Sequence, residues 1–147
     1  MKKIYLDMNL YNRPYDDQRQ ARIRLETVAI FEIFQQIRTG GWKLIWSFIL
    51  DYENRSNPYA ERRLDIDLLS ELAAETIHAD EQIRQLAHTF EPHGVRPRDA
   101  LHLSCAVLSH ADYFLTGDDK LLNKQRIPGL EQLILLNPID FILAQGR

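Results

Sequence analysis

The stretch Lys3-Ile4-Tyr5-Leu6-Asp7-Met8-Asn9 decides the fold. Its apolar run stops abruptly at a carboxylate, which reads as a buried strand ending at Asp7. The same design returns more than a hundred residues later in Tyr113-Phe114-Leu115-Thr116-Gly117-Asp118, a strand with an acid one residue beyond its end. Further short strands are expected at Trp42 to Trp46, Glu75 to Ile77 and Leu133 to Leu136. Longer helical stretches separate them. One runs from about Arg19 to Arg38, with Ile23, Ile30, Phe34 and Ile37 near one face and Gly40-Gly41 as its stop. Ser47 caps a second, which continues to about Ser56. A third spans about Ala60 to Ala73, with Leu64, Leu68, Leu69 and Leu72 expected to face the core. Asp80 caps a fourth, Pro97 opens a fifth that is apolar on most sides, and Asn12 to Asp17 is expected to be a polar loop. Strands alternating with helices imply a parallel sheet covered on both faces. In such folds sites form outside the carboxyl ends of the strands, so Asp7 and Asp118 are expected at one rim.

The chain of 147 residues has the size of one ordinary domain, and we expect residues 1–147 to form one. Hydrophobic residues make up 45% and charged residues 27%, the balance of a globular protein rather than a disordered one. The apolar runs, such as Leu133-Ile134-Leu135-Leu136, fall far short of the ~20 residues that span a bilayer. Asp7 and Asn9 interrupt the start too early for a signal peptide. A single cysteine, Cys105, permits no internal disulfide, and with these features it points to a cytoplasmic location. The net charge of −3 argues against tight nonspecific nucleic-acid binding but leaves room for a nuclease whose acids gather at one point.

Taken singly, the acids have ordinary readings. Asp7 and Asp118 suit helix caps, Asp99 suits the dipole of a helix first turn, and Glu53 sits mid-helix where most glutamates are solvated. Together their contexts resemble the PIN-domain family. Asp7-Met8-Asn9 after a strand looks like its opening motif, and Ser47 to Glu53 resembles its second acidic position. Arg98-Asp99-Ala100-Leu101-His102-Leu103-Ser104-Cys105-Ala106 resembles the third motif, and Ala111 to Asp118 the fourth, a strand ending in Thr-x-Asp. The Asn12 to Asp17 stretch and the arginine-rich helix behind it resemble bacterial members of the VapC toxin type.

The resemblance implies a PIN-like α/β three-layer sandwich, with a central parallel sheet of four to five strands and helices on both faces. It implies a metal-dependent endoribonuclease acting on single-stranded RNA, with Asp7, Glu53, Asp99 and Asp118 as the acidic quartet. Asn9 and Thr116 map to supporting polar positions, and Asp119 is a neighbour able to exchange roles with Asp118. A homodimer and an antitoxin partner are implied as well, and with them the toxin role in a type II toxin–antitoxin pair. Oxygen ligands suit Mg²⁺ or Mn²⁺, and we expect Asp7 and Asp99 closest to the metal, Asp118 on it directly or through water, and Glu53 on a second ion or on the attacking water. Such an ion would also offset the mutual repulsion of clustered carboxylates.

Other residues carry two readings each. Arg13, Arg55, Arg96 and Arg98 lie close to the acidic motifs and are candidates for RNA phosphate contacts, or are ordinary surface arginines. Arg19, Arg22 and Arg24 read as a solvated helix face. His102 is a packing residue or a group behind the acids, and Cys105 reads as core. Tyr11 and Tyr15 either stack on bases or hold a loop. A phosphatase with Asp-x-Asp or a receiver with an acidic pair is excluded by Asp7-Met8-Asn9, and no Gly-rich phosphate loop is present. The competing reading is a non-catalytic PIN-like module that binds RNA or protein without cutting.

Overall fold

The structure is a computed structural model and describes residues 2–145. Five strands form one sheet: β1 (Lys3–Leu6), β2 (Lys43–Ser47), β3 (Ala73–Ile77), β4 (Tyr113–Leu115) and β5 (Ile134–Leu136). Their order is β3-β2-β1-β4-β5, and every neighbouring pair is parallel. The helices are α1 (Met8–Asn12), α2 (Ala21–Arg38), α3 (Phe48–Arg55), α4 (Ala60–Ser70), α5 (Glu81–Phe90), α6 (Pro97–Leu108), α7 (Asp119–Leu122) and α8 (Pro138–Gln145).

β1 lies at the centre, and Ile4, Tyr5 and Leu6 are all fully buried, so both faces of the sheet are covered. Alternation along the strand assigns the layers. Tyr5 stacks on its register partner Phe114 and meets His102 of α6 edge-on, so α6, with its neighbour α5, covers that face. Ile4 points the other way. Its register partner Tyr113 packs against Trp42 and against Phe141 of α8, which lies beside α2. The result is the expected three-layer α/β arrangement.

Local chemistry explains most boundaries. The side chains of Asp7, Ser47, Asp80 and Asp118 accept first-turn N–H groups of α1, α3, α5 and α7. Gly40, at φ +85, turns the chain out of α2 in a conformation that costs other residues energy.

Two expectations fail. The stretch Asn12 to Asp17 is not simply a loop: α1 ends at Asn12 and a 3-10 turn occupies Arg13–Tyr15. In α4 the leucines divide. Leu69, with Leu72 just beyond the helix end, packs partly on the core, whereas Leu64 and Leu68 are 64% and 62% exposed and Ile66 is the buried residue. The helix is turned by polar ties to α3 and its exit, where Asn54 donates to Asp67 and to the Arg63 carbonyl and Arg63 donates to Asn57.

Candidate active site

The carboxyl ends of β1, β2 and β4 lie side by side at one rim. Asp7 leaves β1 with its backbone N–H still donating to Leu115. Its Oδ1 accepts the Met8 N–H at 2.8 Å, and its Oδ2 accepts the Thr116 hydroxyl at 2.8 Å and the Asn9 amide at 3.3 Å. Thr116 in turn accepts from the Asp118 N–H, and Asn9 Oδ1 accepts from the Gly117 N–H. The two supporting residues read from the motifs therefore tie the ends of β1 and β4 together. Burial holds the Asp7 carboxyl above the ordinary carboxylate range. His102 and Thr116 pull it back, while the charges of Asp99 and Glu53 push it further up, so these acids act on one another.

His102 stands at the centre of that group. Its Nε2 lies 2.5 Å from Glu53 Oε1 and 3.9 Å from Asp7 Oδ1. Its Nδ1 meets the Tyr5 hydroxyl at 2.6 Å, and that hydroxyl lies 2.6 Å from Ser47 Oγ. A buried line Ser47–Tyr5–His102 thus fixes Glu53 from behind. Burial opposes protonation of His102, but the Glu53 hydrogen bond and the charges of Asp7, Glu53 and Asp99 outweigh it and raise the pKa. The histidine is the group behind the acids.

Asp99, in the first turn of α6, and Asp118 share a second cation. The Arg96 guanidinium is 3.3 Å from Asp99 and 3.4 Å from Asp118. These acids line a cleft of about 610 Å³, with Arg96, Lys120 and Lys124 also on its wall. The four acids therefore form a row, with Glu53, Asp7 and Asp99 around His102 and Asp118 joined through Arg96. Among the described residues no three His, Cys, Asp or Glu side chains already stand as an ion cage. The donor set is nevertheless all carboxylate oxygen, the set hard cations take, and the buried Asp7 has most to gain from a positive neighbour.

Asp119 turns away and is clamped by Arg22 through two 2.8 Å bonds. Arg98 lies 3.7 Å from Glu53. Arg13 is directed inward: its Nε is 2.9 Å from Glu26 Oε1, a charge contact rather than an aligned hydrogen bond, and its Nη1 pairs with Asp16. Arg22 lies half exposed on the solvated face expected of it, yet it also bonds Asp119, Glu26 and the Gly117 carbonyl. Glu26, fully buried and also bonded by Asn137, is the residue that reading by motif missed. Its signal was present: Glu26, Ile30, Ile33 and Ile37 share one helical stripe, where a charge needs a partner. This cluster backs the Thr116-Gly117-Asp118 turn. A Cβ on Gly117 would crowd the Arg13 guanidinium, which would have to shift to admit it. Cys105 is core, with burial pushing its thiol up to about 12.

No protein-family profile matches the chain, and no curated protein matches it. Among solved structures, a chain of the crystal structure of VapBC2 from Rickettsia felis bound to a DNA fragment from their promoter is similar, with a TM-score of 0.56. The match covers 91% of this chain and 97% of that one at 18% identity. The fold is PIN-like. The five parallel strands, the helices on both faces and the acids at the carboxyl rim are what the sequence motifs led us to expect of a PIN-like fold. Among the described residues, no helix is long and apolar enough to cross a membrane.

Proposed function

We propose that the chain, as one nuclease domain over residues 1–147, is a metal-dependent endoribonuclease that hydrolyses phosphodiester bonds of single-stranded RNA. The observation that carries the reading is the meeting of Asp7, Glu53 and Asp99, from β1, α3 and α6, around one buried histidine at the rim. Asp7, Asp99 and Asp118 would hold a Mg²⁺ or Mn²⁺ ion. Bound there, that ion would acidify a water molecule and offset the negative charge that develops on the phosphoryl oxygens. Glu53, held through Oε1 by His102 and with Oε2 3.7 Å from Arg98, takes the proton of the attacking water on Oε2. The water oxygen bonds to phosphorus as the ester P–O bond breaks, and the leaving oxygen takes a proton from solvent, giving a phosphate and a hydroxyl end. Arg96 and Arg98, at the two ends of the row, contact flanking phosphates.

The similarity to a VapBC2 chain supports the finer reading of a cytoplasmic toxin with an antitoxin partner. The apolar residues left exposed on α2 (Leu25, Val28, Phe31) and on α4 (Leu64, Leu68) give such a partner, or a second protomer of a homodimer, surface to cover. One observation favours the competing module that binds without cutting: Arg96 already bridges Asp99 and Asp118 as a built-in cation. Asp7→Asn decides between them. It keeps the shape, removes the buried charge, and on the proposed mechanism lowers Mn²⁺-dependent cleavage of single-stranded RNA by at least a hundredfold, the scale of ~10²–10³ seen when one transition-state contact is lost. Cleavage at the wild-type rate would refute the mechanism, and no Mn²⁺-dependent cleavage by the wild-type protein would favour the binding module.

A further inference from the structure

A second hollow adjoins the acids on the side opposite the Lys120 and Lys124 cleft. Phe48 and Tyr52 of α3 and Pro97 and Leu101 of α6 line it, and it measures about 480 Å³. Its walls are apolar, yet Arg55 and Arg98 also border it, and no carboxylate is among its lining residues. Tyr52 is 50% exposed and immediately precedes Glu53 in α3. The Arg98 guanidinium lies over the Tyr52 ring, 5.5 Å from its centroid, and reaches Glu53 at 3.7 Å. One side chain therefore joins the hollow to the acidic row.

From this we infer that the hollow between α3 and α6 binds one nucleobase of the RNA strand next to the bond that is cut. The inference rests on the nuclease reading of the acids and adds a specificity site to it. A nucleotide matches both chemistries present: a flat apolar ring for Tyr52, Phe48 and Leu101, and an anionic phosphate for Arg98 and Arg55. The size is that of a small-ligand pocket. The guanidiniums at the rim favour a polyanion over an acid-poor apolar partner, and the continuity with Glu53 places the base beside the phosphate under attack. Base–aromatic stacking of this kind tolerates every base, so Tyr52 supplies affinity while the outline of Phe48 and Leu101 selects the base.

The test is a binding scan on Asp7→Asn protein with Mg²⁺, so that bound RNA is not consumed. Labelled single-stranded oligoribonucleotides that each lack one base are compared with the intact strand by fluorescence anisotropy. One abasic position is expected to weaken binding by about 5- to 150-fold, the stacking range expressed as affinity. Adding Tyr52→Ala should weaken the intact strand by a similar factor and leave that abasic strand unchanged, while Tyr52→Phe keeps the wild-type pattern. RNA that binds with no position-dependent loss overturns the base pocket and leaves the nuclease reading standing. No RNA binding at all overturns both. A fall in mass by sedimentation on Tyr52→Ala, with RNA affinity unchanged, overturns the inference in favour of a second copy of the chain.

Discussion

Glu26→Ala should be among the most destabilising single substitutions outside the acidic row. Glu26 has no exposed surface and holds Arg13, Arg22 and Asn137 at once. Removing its carboxylate strands Arg13, whose side chain is only 17% exposed and would keep Asp16 alone. Breaking a buried ion pair from one side costs about 3–5 kcal/mol. The Arg22 contact adds little, because Arg22 is half exposed and retains Asp119. At roughly 2–4 °C per kcal/mol for a chain near this size, the melting temperature should fall by about 6–20 °C. Glu26→Gln keeps the volume and one acceptor, so its cost should be smaller, about 1–3 kcal/mol. Thermal and urea unfolding followed by circular dichroism reads both. A double-mutant cycle of Glu26→Ala with Arg13→Ala should return a coupling above ~1 kcal/mol. A melting temperature within about 2 °C of wild type for Glu26→Ala would refute the reasoning, because a fully buried carboxylate would then contribute almost nothing.

Three further outcomes follow from the site. Because His102 is raised in the folded state, its contribution to stability is complete below the ordinary histidine value of 6.5 and is lost as pH rises through the folded value. Asp7, also raised by its burial, works in the same direction from the ordinary 3.8 upward, so metal-free protein should melt at lower temperature as pH climbs from about 6 to 8. His102→Gln should flatten that slope, and an unchanged slope would reject the assignment. Arg96→Ala should tighten Mn²⁺ binding by roughly 1.5- to 5-fold, the scale of an exposed ion pair, measured by calorimetric titration; weaker binding would mean that Arg96 does not compete for Asp99 and Asp118. Tyr5→Phe leaves Ser47 and His102 without their shared hydroxyl and should cost about 1–3 kcal/mol in urea unfolding, with cleavage falling as Glu53 loses its support. Unchanged stability would show that the buried line carries no strength.

The sheet and the rim were legible because they rest on period and position. A strand ending in an acid, met twice, places Asp7 and Asp118 at one edge without any knowledge of contacts. The short helix after Asp7 was hidden because Asn9, Asn12 and Pro14 carry the composition of a loop, while the capping bond from Met8 is invisible in composition. The outward leucines of α4 were misread because spacing names a stripe but does not say which stripe meets the core. Polar ties from Asn54 and Arg63 make that choice. The role of His102 needed three elements at once, since its partners Tyr5 and Glu53 come from β1 and α3. Arg13 and Arg96 were equal candidates in the sequence, yet the buried Glu26 draws one inward and the acids hold the other at the cleft.

The central strand has a bearing on when the acidic rim can first assemble during synthesis. Among the described strands β1 is made first, yet its neighbour β4 follows 109 residues later, the separation of Ile4 from Tyr113 and of Asp7 from Thr116. At about 5–20 residues per second, a ribosome needs roughly 5–20 s to cover that interval. Until then Asp7 has neither Thr116 nor the edge of β4 beside it, and the nascent chain carries its acids apart. Long-range parallel pairing folds slowly, and here it acts as a delay line: the rim that gathers these acids is among the last parts of the domain to assemble.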